Sequence, residues 1–170
     1  QDIGGIRIIL PTITDVYAAH MAIIKSKAKH IPVTPPVDYI KKPKKDGYRS
    51  LHQVFKYNNY KHPECNGMNI EVQIRTKLQH SWATAVEILG IIQNASYKTG
   101  EGGDDEKQFF RLVSYLFAKK EKQEVIEDLK DRSIESIRQE LKSLNKKTGL
   151  INLLDTASKS AVKIEQNLDS

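Results

Sequence analysis

Residues 69–76, "NIEVQIRT", alternate strictly: Ile70, Val72 and Ile74 fall on one face of an extended strand, and Glu71, Gln73 and Arg75 fall on the other. A carboxylate projecting from a rigid strand suits work with sub-ångström tolerance, such as holding a metal ion or drawing a proton. The plainer reading is a solvent-facing strand with an ordinary Glu71–Arg75 pair. Asp2 stands just ahead of the first predicted strand, where its carboxylate could meet Glu71 at a sheet edge and share a divalent ion. Its plainer reading is a frayed terminal residue. Mg²⁺ takes one or two carboxylates and completes its shell with substrate phosphates, so one Asp and one Glu suit it.

The second concentration of chemistry is "YIKKPKKDGYRSLH", residues 39–52. Lys41, Lys42, Lys44 and Lys45 have only Asp38 and Asp46 as local acids. A charge run of this kind is usually a solvated face. Pro43 and Gly47 stiffen and turn the segment, however, and a shaped loop can present ammonium groups to phosphate oxygens. Tyr48 follows the glycine directly; a ring set among cations can stack on a base, or it can simply cap the edge of the core. His52 would share a strand face with Val54 and is more often a satisfied hydrogen-bonding residue than a ligand. The five histidines show no zinc spacing. Ser50 has a histidine two residues on, His52, but no Ser–His pair is implied. GxxxxGK[ST] is absent, which excludes a Walker loop.

The elements that must position these groups follow from periodicity. "GGIRIILP" reads as a buried strand, with Ile6, Ile8 and Leu10 alternating and Pro11 closing it. A helix follows, with Thr14 as N-cap and Val16, His20, Ile23 and Ile24 along its buried stripe. "IPVTPPV" is too rich in proline for a helix and should run extended or at a sheet edge. "SLHQVFKY" is the next strand. After "NIEVQIRT", Thr76 with Gln79 forms a capping box for a helix that buries Leu78, Trp82, Ala85, Val86 and Leu89.

"KTGEGGDDE" breaks the pattern and marks a boundary. Beyond it the sequence is helical in character, with Phe109, Leu112, Val113, Leu116 and Phe117 on one stripe. Ile134, Ile137, Leu141 and Leu144 form another, and Leu154, Ala161, Ile164 and Leu168 a last one. The order of elements predicts an α/β (α+β) core over 1–98 and a helical extension over 104–170.

Composition sets outer bounds. The 170 residues carry a net charge of +6 and a single cysteine, Cys65. The charge fits an anionic partner such as a nucleotide or nucleic acid. One cysteine excludes a disulfide framework or thiolate metal cluster and agrees with a cytoplasmic location. No run approaches the roughly 18 apolar residues that a membrane span needs. The chain opens almost at once on a strand and lacks an initial Met, so native sequence is expected upstream.

Together, "DIGGIRIIL", "DYIKKPKKDGYRSLH" and "IEVQIRTKLQHSWATAVE" resemble the synthetase domain of the RelA/SpoT family, in that family's order, and "QHSWATAVE" is closest in style to its small stand-alone members and their toxin relatives. The resemblance implies a nucleotidyltransferase-like mixed β-sheet flanked by helices. It implies transfer of the β,γ-pyrophosphate of ATP to the 3′-hydroxyl of GDP or GTP, with Mg²⁺ as cofactor. By matching positions, Asp2 and Glu71 would hold the metal, or Glu71 would draw the proton from the attacking hydroxyl. Tyr48 would stack on guanine, and Lys44, with Lys41 in the same loop, would contact phosphates. His52 and Gln73 would position the acceptor's ribose and phosphates, and Arg7 would touch substrate or brace the sheet.

The chain departs from the family pattern in three places. The family's basic helix that grips ATP precedes the first strand, so part of the donor site is expected upstream. Val37 stands where many members have Lys or Arg, and Asp46 where many have Asn; the latter places a negative charge near the phosphates. The family's hydrolase motif is missing. The alternatives are therefore a toxin-type relative that modifies tRNA 3′ ends or adenosine nucleotides, and a catalytically degenerate nucleotide-binding module. The C-terminal stripes suit packing on the core or a homo-oligomer.

Overall fold

The computed structural model describes residues 4–26, 30–93 and 103–168, with side chains as far as Lys159. Asp2 lies outside the described residues, as do the side chains of Ala161, Ile164 and Leu168. The elements run β1 (Gly4–Leu10), α1 (Ile13–Lys25), β2 (Ile31–Pro32), β3 (Val37–Asp38), β4 (Leu51–Lys56), β5 (Asn69–Thr76), α2 (Lys77–Gln93), α3 (Asp104–Lys120), α4 (Ile134–Thr148) and α5 (Leu150–Leu168). The sheet order is β1-β5-β4-β2, with β3 also on β4. β1 and β5 are parallel and the other pairs antiparallel, so the sheet is mixed.

The alternation in β5 separates the two faces of this sheet as the sequence predicts. Val72 and Ile74 join Leu51, Phe55, Ile40 and Val16 of α1 in one apolar cluster. The opposite face carries polar groups in cross-strand register: His52 pairs with Gln73, and Gln73 with Arg7. The proline-rich segment supplies β2 and β3, two short strands on the flank of β4.

Three expectations for β1 and α1 need correction. Among the described residues β1 pairs with β5 alone, at the edge of the sheet; Ile6 is 55% exposed and Ile9 39%, and of its side chains Ile8 and Leu10 reach the core. Alternation cannot reveal whether a strand has a partner on both sides. Second, α1 is capped by Thr12, not Thr14. The Thr12 hydroxyl accepts from the Asp15 amide (3.2 Å) and donates to its carboxylate (2.7 Å), a reciprocal cap made possible by the extended backbone at Thr12. Third, starting the helix there leaves Ile24 exposed and brings Tyr17 and Ala19 to the core instead.

The capping box at α2 forms as expected: the Thr76 amide donates to Gln79 Oε1 and the Gln79 amide to Thr76 Oγ1, each at 3.2 Å. α2 buries Gln79, Trp82, Ala83, Val86 and Leu89, while Leu78 stays half-buried. Glu121, at the end of α3, accepts hydrogen bonds from the Thr76 hydroxyl and the Gln79 amide group, tying α3 to the start of α2. α3 buries Phe109, Phe110, Leu112 and Tyr115 between two clusters shared with α2, α4 and α5. Ile134, expected inside, is 42% exposed at the first turn of α4.

α3 also holds the basic loop in place. Arg111 Nε donates to the Lys45 carbonyl (3.0 Å), and Ser114 Oγ donates to the Gly47 carbonyl (2.6 Å). The buried Arg49 returns from the other side, donating from Nε to Ser114 Oγ and from Nη1 to the Ile40 carbonyl, both at 3.1 Å. Gly47 has φ of 101°, and a Cβ there would lie 2.8 Å from Ser114 Cβ and 3.2 Å from the Trp82 ring. The residue must therefore be glycine for two reasons: left-handed backbone and close approach of a helix. Gly47→Ala should destabilise the fold by about 2 kcal/mol or more from backbone strain and overpacking. Denaturant unfolding of the two proteins checks this; an unchanged midpoint would show that the loop is not clamped.

Candidate active site

A chain of hydrogen bonds crosses the polar face of the sheet. Gln73 Nε2 donates to Glu71 Oε2 (2.7 Å), His52 Nδ1 lies 2.6 Å from Glu71 Oε1, and His52 Nε2 lies 2.8 Å from the Tyr48 hydroxyl. Burial acts to raise the Glu71 carboxyl, but the bonds from Gln73 and His52 outweigh it and hold the group below its ordinary value. An ionised Glu71 must receive a proton from Nδ1, which leaves Nε2 as an acceptor for the Tyr48 O–H. Burial, joined by the like charges of Lys44 and Arg75, lowers the proton affinity of His52 against the opposing pull of Glu71, so this neutral tautomer is the consistent one. Burial likewise raises the Tyr48 phenol and keeps it a donor.

Of these groups Tyr48, His52 and Gln73 border an open cavity of about 240 Å³ between the polar face of the sheet, the basic loop, α2 and α3, and Glu71 is bonded to two of them without lining it. Its lining includes Arg7, Lys44, Asp46, Tyr48, His52, Gln73, Arg75, Trp82, Glu87 and Lys107. Lys44 Nζ sits 4.8 Å from the ring centre of Tyr39 and 5.2 Å from that of Tyr48, so its charge is held at the ring edge of the cavity. Asp46 Oδ1 accepts from the Tyr48 amide at 2.8 Å, which fixes the turn that presents the ring. Trp82 is both core and wall: its indole N–H donates to the Phe110 carbonyl at 2.8 Å and its ring lines the cavity.

The sequence-predicted residues divide accordingly. Arg7, Lys44, Tyr48, His52 and Gln73 line one cavity, and Glu71 is bonded to two of them. Lys41 is directed elsewhere, 3.9 Å from Asp38 Oδ2 and over the Tyr17 ring. The Glu71–Arg75 pair does not form; both Glu71 oxygens are engaged by His52 and Gln73 instead. Arg75 and Lys107 were missed as lining residues. No local pattern marks Lys107, because α3 comes over the sheet only through tertiary packing.

Among the described residues no group of three metal-ligating side chains occurs. Mg²⁺ needs fewer: Glu71 is a one-quarter exposed carboxylate held as an anion, with lone pairs left on both oxygens. It pairs in register with Gly5 of β1. The donor set fits a magnesium ion shared with substrate phosphates.

A family model described as the region found in RelA and SpoT proteins matches residues 1–102. A GTP pyrophosphokinase of Photobacterium angustum is 32% identical over 116 residues, covering 68% of this chain and 14% of that protein. Small alarmone synthetase 1 of Bacillus subtilis, solved with its product pppGpp, is similar with a TM-score of 0.60 and 27% identity, over 72% of this chain and 59% of that one. A GTP pyrophosphokinase family protein of Streptococcus pneumoniae gives a TM-score of 0.60 and 26% identity, over 72% and 60%. The chain thus spans about a seventh of the curated relative and about three fifths of each solved one. These likenesses bear out the expected nucleotidyltransferase-like mixed sheet flanked by helices.

The buried histidine predicts a pH effect whose sign is fixed. Below about pH 6.5 the unfolded chain takes up a proton at His52 that the folded chain resists, so stability is lost as pH falls through that window. The Glu71 contribution is lost only lower, below the ordinary carboxylate value. Wild type should therefore lose more Tm than His52→Gln between pH 7.5 and 5.5, measured by thermal unfolding. Parallel losses would remove His52 from the account.

Proposed function

Because the chain belongs to the RelA/SpoT family, we propose that it transfers the β,γ-pyrophosphate of ATP to the 3′-hydroxyl of GDP or GTP, forming ppGpp or pppGpp. The observation that carries this reading is the series Tyr48–His52–Glu71, which links an aromatic platform and a histidine on the cavity wall to an anionic carboxylate bonded to that wall. The guanine of the acceptor stacks on Tyr48, and Lys44 at the ring edge meets its phosphates. His52 and Gln73 hold Glu71 as an anion, oriented to take the proton of the attacking hydroxyl.

Pyrophosphoryl transfer asks the protein for alignment and charge neutralisation. The 3′-oxygen forms a bond to the β-phosphorus, the bond from that phosphorus to the α,β-bridging oxygen breaks, and AMP leaves. Glu71, with Asp2 ahead of β1, would hold Mg²⁺, which when bound supplies neutralisation of phosphate charge. Lys44 contributes fixed positive charge in the same cavity. Residues 1–98 form the catalytic core in this reading. Residues 104–170 form an extension whose first helix clamps the acceptor loop, and the reaction belongs in the cytoplasm. No helix among the described residues is long and apolar enough to cross a membrane.

The test is incubation of the protein with γ-labelled ATP, Mg²⁺ and either GDP, GTP or bulk tRNA. Label in the guanosine nucleotide supports the proposal; label only in RNA overturns it in favour of a toxin-type activity. Glu71→Gln should reduce transfer at least a hundredfold while nucleotide binding persists, because an amide keeps the hydrogen-bonded shape but is no base. Tyr48→Ala should raise the acceptor KM about tenfold, as stacking is worth about 1–3 kcal/mol per base. An active Glu71→Gln protein, or an unchanged KM, removes the corresponding role.

A further inference from the structure

The cavity holds a cation that the proposed reaction has not used. Arg75, near the end of β5, lines the cavity from the polar face and is 2% exposed. Its Nε is buried without a hydrogen-bond partner, and among the described residues no carboxylate forms an ion pair with it. Burial disfavours its charge first, Arg7 acts on it with the same sign, and Tyr48 and Glu87 of α2 act in the opposite sense without an ion pair to it among the described residues. Lining the cavity are four cations, Arg7, Lys44, Arg75 and Lys107, against two acids, Asp46 and Glu87, and Asp46 already accepts from the Tyr48 amide.

Removing one partner from a buried charge is costly, and a guanidinium keeps its proton rather than neutralise. Such a group persists where something outside the chain completes it. The chemistry that completes a planar, forked donor beside a second arginine is a multivalent oxyanion. The equally buried Arg49 also leaves one nitrogen, Nη2, without a partner, but it spends Nε on Ser114 and Nη1 on the Ile40 carbonyl and lies behind the basic loop against α3, whereas Arg75 lines the open cavity.

We propose that Arg75 is a phosphate-binding residue, its guanidinium taking anionic oxygens of a nucleotide phosphate in this cavity. It works from the strand, whereas Lys44 works from the loop. The inference rests on reading the cavity as a nucleotide site but requires no turnover. The phosphate can belong to the donor or to the acceptor, and binding measurements separate the two.

Calorimetric titrations of the protein with tripolyphosphate, α,β-methylene-ATP, GDP and guanosine test it. Arg75→Met should weaken tripolyphosphate by about tenfold to a hundredfold, the loss of a charge-assisted forked contact. Arg75→Lys keeps the charge but not the fork, and should lose about fivefold or more. Guanosine, which has no phosphate, should bind both variants as it binds wild type. A loss confined to α,β-methylene-ATP assigns the donor, and one confined to GDP assigns the acceptor. If Arg75→Met does not fold, by circular dichroism, Arg75→Lys decides. A folded variant that binds tripolyphosphate and both nucleotides as wild type does overturns the proposal. A protein that transfers no pyrophosphate, yet loses tripolyphosphate on Arg75 substitution, sinks the functional reading and leaves this one standing.

Discussion

The arrangement depends on one close approach: α3 resting against a left-handed glycine. With no Cβ at Gly47, Ser114 comes near enough to donate to its carbonyl, and Arg49 ties the serine back to the loop's own start. Four lysines in five positions repel one another, and left alone they would spread the segment into solvent. Clamped from behind by Arg111, Ser114 and Arg49, the loop keeps Lys44 at the ring edge and Tyr48 facing the cavity. The helix that does this lies beyond residues 1–102, the span that the family model matches. Its role is to hold a shape that the core's basic loop cannot hold by itself.

The second requirement is a sheet with one dry and one wet face. Val72 and Ile74 bury against α1, and this fixes the register of β5 on β4, because a slip of one residue would turn Glu71 into the core. Register then delivers His52 opposite Gln73 and beside Glu71. The carboxylate is thereby held as an anion by two neutral donors rather than by a cation. A strong cation on Glu71 would have weakened its use as a base or a metal ligand. The arginine of the same face is left for something else.

Much of this was legible in the sequence. Period-two alternation over 69–76 assigned every β5 side chain to its face, and Thr76 with Gln79 announced the start of α2, because both signals are local. The grouping of Lys44, Tyr48 and His52 followed from a short loop leading into a strand. Local signals failed where the answer lay with a distant neighbour. β1 reads as a buried strand, yet it is an edge. Lys41 reads like Lys44, yet it turns to Asp38 and Tyr17.

Sequence alone therefore determined the kinds of groups available and the faces they share within an element. Backbone periodicity and local caps act over a few residues, and those rules are written in consecutive letters. Tertiary structure decided which of those groups have partners. Glu71 goes to His52 rather than Arg75, Arg75 goes without, and α3 closes the wall with Lys107 and Phe110. Pairing of side chains far apart in the chain is set by packing and desolvation in three dimensions, and no spacing along the chain encodes it.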